Sequence, residues 1–144
     1  ATMRYEPVDP PTAQALVDAA ARCVRAMRAA GVNAADALSA ATVENLEALI
    51  ASYPEGHIPN DESVFQFVAL LGETVRQTYG GYWAEAEIGG ARELGVVTGG
   101  PHGDVFWNVT AKLRRRLQRR KIAPRESLVF YWRAISEQMR QPSS

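Results

Sequence analysis

Residues 71–83 read LGETVRQTYGGYW, and how they are read decides the fold. A helical pattern runs through Leu71, Val75 and Tyr79, meets Gly80-Gly81, and gives way to the aromatic pair Tyr82-Trp83. Two consecutive glycines end a helix cheaply, and an aromatic after them suits a strand. The junction therefore sets how a helix meets a sheet. Working back, Asn60 or Asp61 caps a helix that extends to 79 and is buried through Val64, Val68, Leu71 and Val75, with Phe65 and Phe67 widening the face. Gly72 shares the face of Val68, Val75 and Tyr79. A glycine inside a helix costs up to about 1 kcal/mol relative to alanine, so close approach of another segment is expected there. Working forward, residues 82–88 and 92–98 read as two strands. Gly89-Gly90 between them suits a two-residue hairpin turn, because both positions tolerate positive φ. A lone hairpin is unstable in water, so this one is expected to lie against helices.

The outer segments are helical by pattern. Pro10-Pro11 opens a helix over about 12–30, with Leu16, Ala20, Cys23 and Met27 inward and Gly31 at its end. Asn33 is expected to cap a second helix to 52, with Leu38, Val43, Leu46 and Ile50 inward and a break near Ser39 and Thr42. Gly99-Gly100-Pro101 closes the hairpin. A fourth helix is expected over about 104–120, capped by Asp104, on Phe106, Val109, Leu113 and Leu117. Pro124 starts a fifth, with Leu128, Trp132, Ile135 and Met139 inward. Trp83 and Trp132 are expected in the core, while Trp107 falls off the main stripe of its helix.

A chain of 144 residues, 47% hydrophobic and 22% charged, is an ordinary globular composition for one domain over 1–144, with 1–11 as an extended N-terminal segment. No apolar run approaches the ~18 residues that span a membrane. The start of the chain carries no apolar signal core, and Cys23 is the one cysteine. A reducing, cytoplasmic setting is the expectation, with Cys23 a buried small hydrophobe. Net charge is zero, yet residues 1–101 carry 6 basic and 13 acidic side chains, while residues 102–144 carry 10 basic and 3 acidic. Such a split favours internal attraction or a charged partner.

Candidate chemistry is sparse. Glu73 lies beside the Gly72 face. It reads either as a buried carboxylate acting as acid, base or ligand, or as a partner for Arg76, Gln77 or a backbone N–H. No second carboxylate or histidine stands at a spacing that completes an acid–base pair. Leu71-Gly72-Glu73 followed by Gly80, Gly81 and Trp83 resembles a group of small bacterial domains of unknown function with a Leu-Gly-Glu, then Gly-Gly-x-Trp core. The flanks Val43-Glu44-Asn45-Leu46-Glu47, Pro101, Val105 and Ser127-Leu128 fit as well, so the resemblance covers about 34–135. It implies a compact helical domain around a hairpin, and no activity.

Gly99-Gly100-Pro101-His102-Gly103-Asp104, ahead of a helix, could cradle a phosphate through backbone N–H groups, but it is neither a P-loop nor a dinucleotide fingerprint. His57 and His102 have no ligand partner at metal spacing, and no cofactor is expected. Ser127, Ser136 and Thr110 have no visible base. The strongest surface signal is the basic run 112–121. On a helix, Lys112, Arg115, Arg116 and Arg119 fall at i, i+3, i+4 and i+7 and form one stripe beside Leu113 and Leu117. It could meet an acidic protein surface, another copy of this chain, or nucleic-acid phosphates.

The expected fold is α+β and mainly helical, about five helices packed with one antiparallel β-hairpin. The expected function is that of a non-catalytic, cytoplasmic bacterial protein-interaction domain, with an immunity or inhibitor-like protein as one concrete form. A nucleic-acid-associated protein using the basic helix is the alternative, and a small enzyme using Glu73 the third reading.

Overall fold

The computed structural model describes residues 4–119 and 122–140. In chain order its elements are β1 (Tyr5–Pro7), α1 (Pro10–Ala29), α2 (Ala40–Ser52), α3 (Asp61–Tyr79), β2 (Tyr82–Ile88), β3 (Ala91–Gly100), β4 (Gly103–Trp107), α4 (Val109–Gln118), a short 3-10 turn (Pro124–Glu126) and α5 (Leu128–Arg140). The strands form one antiparallel sheet in the order β1-β2-β3-β4.

That sheet corrects the expected single hairpin. β2 and β3 do form the hairpin, with Tyr82 opposite Val97 and Ile88 opposite Ala91 around Gly89-Gly90. Two further strands flank it. The N-terminal segment supplies β1, where Tyr5 lies opposite Ala86 and Pro7 opposite Ala84. Residues expected to begin the fourth helix supply β4, where Trp107 lies opposite Val96 and Gly103 opposite Gly100. Val105-Phe106-Trp107 is a β-branched and aromatic run that suits a pleated surface better than a helix start. Gly103, at φ 114°, lets the chain turn back after His102. Asp104 is therefore a strand residue, and Asn108 caps α4 by accepting the Ala111 N–H at 3.1 Å.

Side-chain size explains why the edge strands hold. Alternation places Tyr5, Pro7, Ala84, Ala86, Gly95 and Phe106 on one face. Ala84 and Ala86 are buried yet lie outside the continuous hydrophobic core. The rings of Tyr5 and Phe106 reach inward from opposite edges and stack at 6.1 Å, 17° from parallel. A Cβ on Gly95 would overlap the Phe106 ring and the Trp107 carbonyl. The missing side chain is what lets this aromatic roof close.

The opposite face meets the helices. One continuous set of buried side chains draws on all five described helices and on Trp83, Val96 and Trp107 of the sheet. All three tryptophans are buried, and Trp107 donates its N–H to Thr98 Oγ1 at 2.8 Å from a strand rather than from a helix flank. α1 begins at the Asp9 cap, which accepts the Thr12 N–H, and α3 at Asn60, which accepts the Ser63 N–H at 2.8 Å. α2 starts at Ala40 and not near Asn33. Ser39 and Thr42 exchange backbone and side-chain hydrogen bonds there in a capping box. The 3-10 turn at Pro124 precedes α5, whose first turn is held by Ser127 Oγ accepting the Phe130 N–H.

Candidate functional site

Glu73 sits on the α3 face that meets the sheet, and its side chain is fully buried. Four donors converge on it. Arg76 Nε donates to Oε2 at 2.6 Å and Arg76 Nη2 to Oε1 at 2.8 Å. Gln77 Nε2 reaches Oε1 at 3.1 Å, and the indole Nε1 of Trp83 reaches Oε2 at 2.7 Å. Burial is the largest single influence on this carboxyl and pushes its pKa up. Hydrogen bonds from Arg76, Trp83 and Gln77, with the Arg76 charge, together outweigh it and hold the pKa below its ordinary value.

The glycines make this geometry accessible. A Cβ on Gly72 would come within 3.0 Å of three ring carbons of Trp83, so the outer part of the six-membered ring packs against the bare helix backbone. Gly80 leaves α3 at φ 74°. Gly81, at φ 142°, has no room for a side chain against the Val97 carbonyl. Gly72, Glu73, Gly80, Gly81 and Trp83 are thus one clasp, and the close approach to Gly72 comes from an aromatic ring. Chemically, the two oxygens of the carboxylate are met by four donors. Ionised and saturated, it is a poor proton carrier.

The basic helix divides by direction. At 3.6 residues per turn, α4 presents successive side chains about 100° apart. Arg116 faces inward, 3% exposed, and grips Glu47 of α2 through Nε and Nη2, the shortest contact 2.6 Å. Glu47 Oε1 also accepts the Leu128 N–H at 2.8 Å, and Arg116 Nη1 donates to the Arg119 carbonyl. One buried ion pair so joins α2, α4 and the first residue of α5. Lys112 donates to the Glu126 carbonyl at 2.8 Å and lies over the Tyr131 ring. Burial, then the nearby Arg115 charge, lowers its pKa. Arg119 pairs with Glu126 at 3.1 Å with most of its side chain in solvent. Arg115 is exposed and forms no ion pair among the described residues. Arg120 and Lys121, the end of the basic run, lie outside the described residues.

The remaining candidates separate. Gly99 to Asp104 is the connection and start of the β3–β4 pair, so no helix N-terminus stands behind it to hold a phosphate. His57 packs its ring on Tyr53 in the α2–α3 loop, far along the chain from His102 in the β3–β4 turn. No group of three or more His, Cys, Asp or Glu suited to a metal ion occurs among the described residues. Burial pushes the Cys23 thiol up to about 11, which keeps it protonated. Ser136 accepts from the Tyr79 hydroxyl at 2.7 Å.

One groove was not visible in the sequence. It holds about 480 Å³ between the α2–α3 loop and α4. Ile58, Pro59 and Val64 line one wall, and Leu117 with Arg114 the other. Ile58 is 86% exposed. An isoleucine between His57 and Pro59, in a loop with no hydrophobic periodicity, was the one available signal. Among the described residues no helix is long and apolar enough to cross a membrane. No family model, no curated protein and no solved structure matches the chain.

Proposed function

We propose that the protein is a non-catalytic interaction domain of the bacterial cytoplasm, which binds a partner with an acidic surface through the outer side of α4. It is of the same kind as the small bacterial domains whose Leu-Gly-Glu and Gly-Gly-x-Trp core it resembles. An immunity or inhibitor-like protein is a concrete form of this reading. The observation that carries it is the pair Arg115 and Arg119, one helical turn apart. Both cations point into solvent, and Arg115 has no counter-ion among the described residues. Exposed guanidinium groups on a rigid helix suit carboxylates presented by a protein. The state of Glu73 supports the non-catalytic half, since its four donors leave it no free acceptor position.

The test is recovery of a crosslinked partner from the source organism by wild type and by the R115E/R119E variant. An acidic protein is expected with wild type, in amounts that fall as salt rises, and should be lost with the variant while the melting temperature is retained. Equal recovery by both proteins contradicts the assignment. Tight, salt-resistant binding to one defined nucleic-acid sequence would replace it with nucleic-acid recognition.

A further inference from the structure

We propose that the groove between the α2–α3 loop and α4 is the contact between two copies of the chain related by a two-fold axis. It is a different face from the outer side of α4. Arg114, Leu117 and Gln118 line the groove, whereas Arg115 and Arg119 lie about 100–140° further round the helix from Arg114.

Three features select a second copy as the occupant. The patch carries both a projection and a hollow. Ile58, almost wholly in solvent, stands at the rim of the concavity that it lines with Pro59, Val64 and Leu117. A two-fold axis seats each Ile58 in the other copy's hollow, since residue i meets residue j and j meets i. The walls also carry opposite charges, Glu55 on the loop and Arg114 on α4. Glu55 has no ion pair among the described residues, and Arg114 reaches Glu93 only at 3.5 Å from a largely exposed position. The same rotation sets Glu55 of each copy against Arg114 of the other, twice. A uniformly acidic partner would face Glu55, and a uniformly basic one Arg114, each at a like-charge cost. Finally, the chain's net charge is zero, so two copies approach without overall repulsion. A patch of this size belongs with weak interfaces, below about 1,200 Å² in total, so the dimer should dissociate on dilution.

Sedimentation equilibrium over a wide concentration range tests this. The mass of wild type should rise from 15.8 kDa toward twice that value. I58D should stay at one chain at every concentration with its melting temperature unchanged, because Ile58 is exposed. E55R and R114E should each self-associate at least tenfold more weakly. An equimolar mixture of the two should regain a dimer, because each pair then joins opposite charges. R115E/R119E should self-associate like wild type, while I58D should still capture the acidic partner; this separates failure of the dimer from failure of the α4 reading. Wild type that remains at 15.8 kDa throughout overturns the proposal, as does a dimer unaffected by I58D or a mixture that stays monomeric. A monomer whose groove binds an apolar dye, with binding lost in I58D, overturns it in favour of a smaller ligand.

Discussion

The indole N–H of Trp83 points at the carboxylate of Glu73, 2.7 Å away, across the bare backbone of Gly72. Glycine, glutamate and tryptophan there form one unit. The missing Cβ admits the ring, the ring delivers a donor, and the donor helps keep a buried negative charge. The first strand of the central hairpin is tied to the central helix at its first inward residue.

Adding atoms at Gly72 should break this unit. Alanine has the better helix propensity, by about 1 kcal/mol. The Cβ would nevertheless overlap Trp83. G72A should lower the unfolding free energy by about 1–3 kcal/mol, and G72L by more. Chemical denaturation measures both, and a G72A variant more stable than wild type would count against the packing.

Acid should weaken the clasp with a defined sign. The folded-state pKa of Glu73 lies below its ordinary value of 4.5. Its contribution is therefore complete above the unfolded pKa and is lost as pH falls through the lower, folded value. Stability followed from pH 7 downward should decline below about pH 4.5. E73Q should start lower and show a shallower decline over the same interval.

The two kinds of arginine on α4 should separate in stability measurements. R116A leaves the part-buried Glu47 without its cation and removes a link among α2, α4 and α5. It should cost about 3–5 kcal/mol. R115E and R119E touch solvent-exposed groups and should change stability by less than about 1 kcal/mol. Similar losses for all three would mean that Arg116 is not singled out by burial.

The cap of α4 offers a simple check on the sheet. N108A should destabilise by about 1 kcal/mol through loss of the Ala111 hydrogen bond. D104A should lie near wild type, because Asp104 is an exposed strand residue and not a cap. The reverse order would restore a helix beginning at 104.

The long elements were legible because their periodicity is long. α3 and β2 lie where the apolar spacing and the Gly-Gly break place them. β1 and β4 were not, because strands of three and five residues carry too little pattern, and pairing partners define them. Phe106 and Val109 are also three apart, which mimics a helix face across a strand-to-helix boundary. The partners of Glu73 on its own helix were readable at three and four residues' distance. Trp83 as its donor was not, since that contact depends on how α3 crosses the sheet. Arg116 was read with its neighbours as part of a basic stripe, because charges default to solvent. Its burial depends on Glu47, 69 residues earlier in the chain.

A double-mutant cycle between Glu73 and Trp83 tests the clasp most directly. E73Q, W83F and the combined variant should each be compared with wild type by equilibrium unfolding. Each single change should cost about 1–3 kcal/mol, since each leaves a buried group short of a partner. The double variant should lose less than the sum, with a coupling of about 1 kcal/mol or more. Additive losses within about 0.3 kcal/mol would show that the two residues do not hold each other, and would return Glu73 to consideration as a free carboxylate.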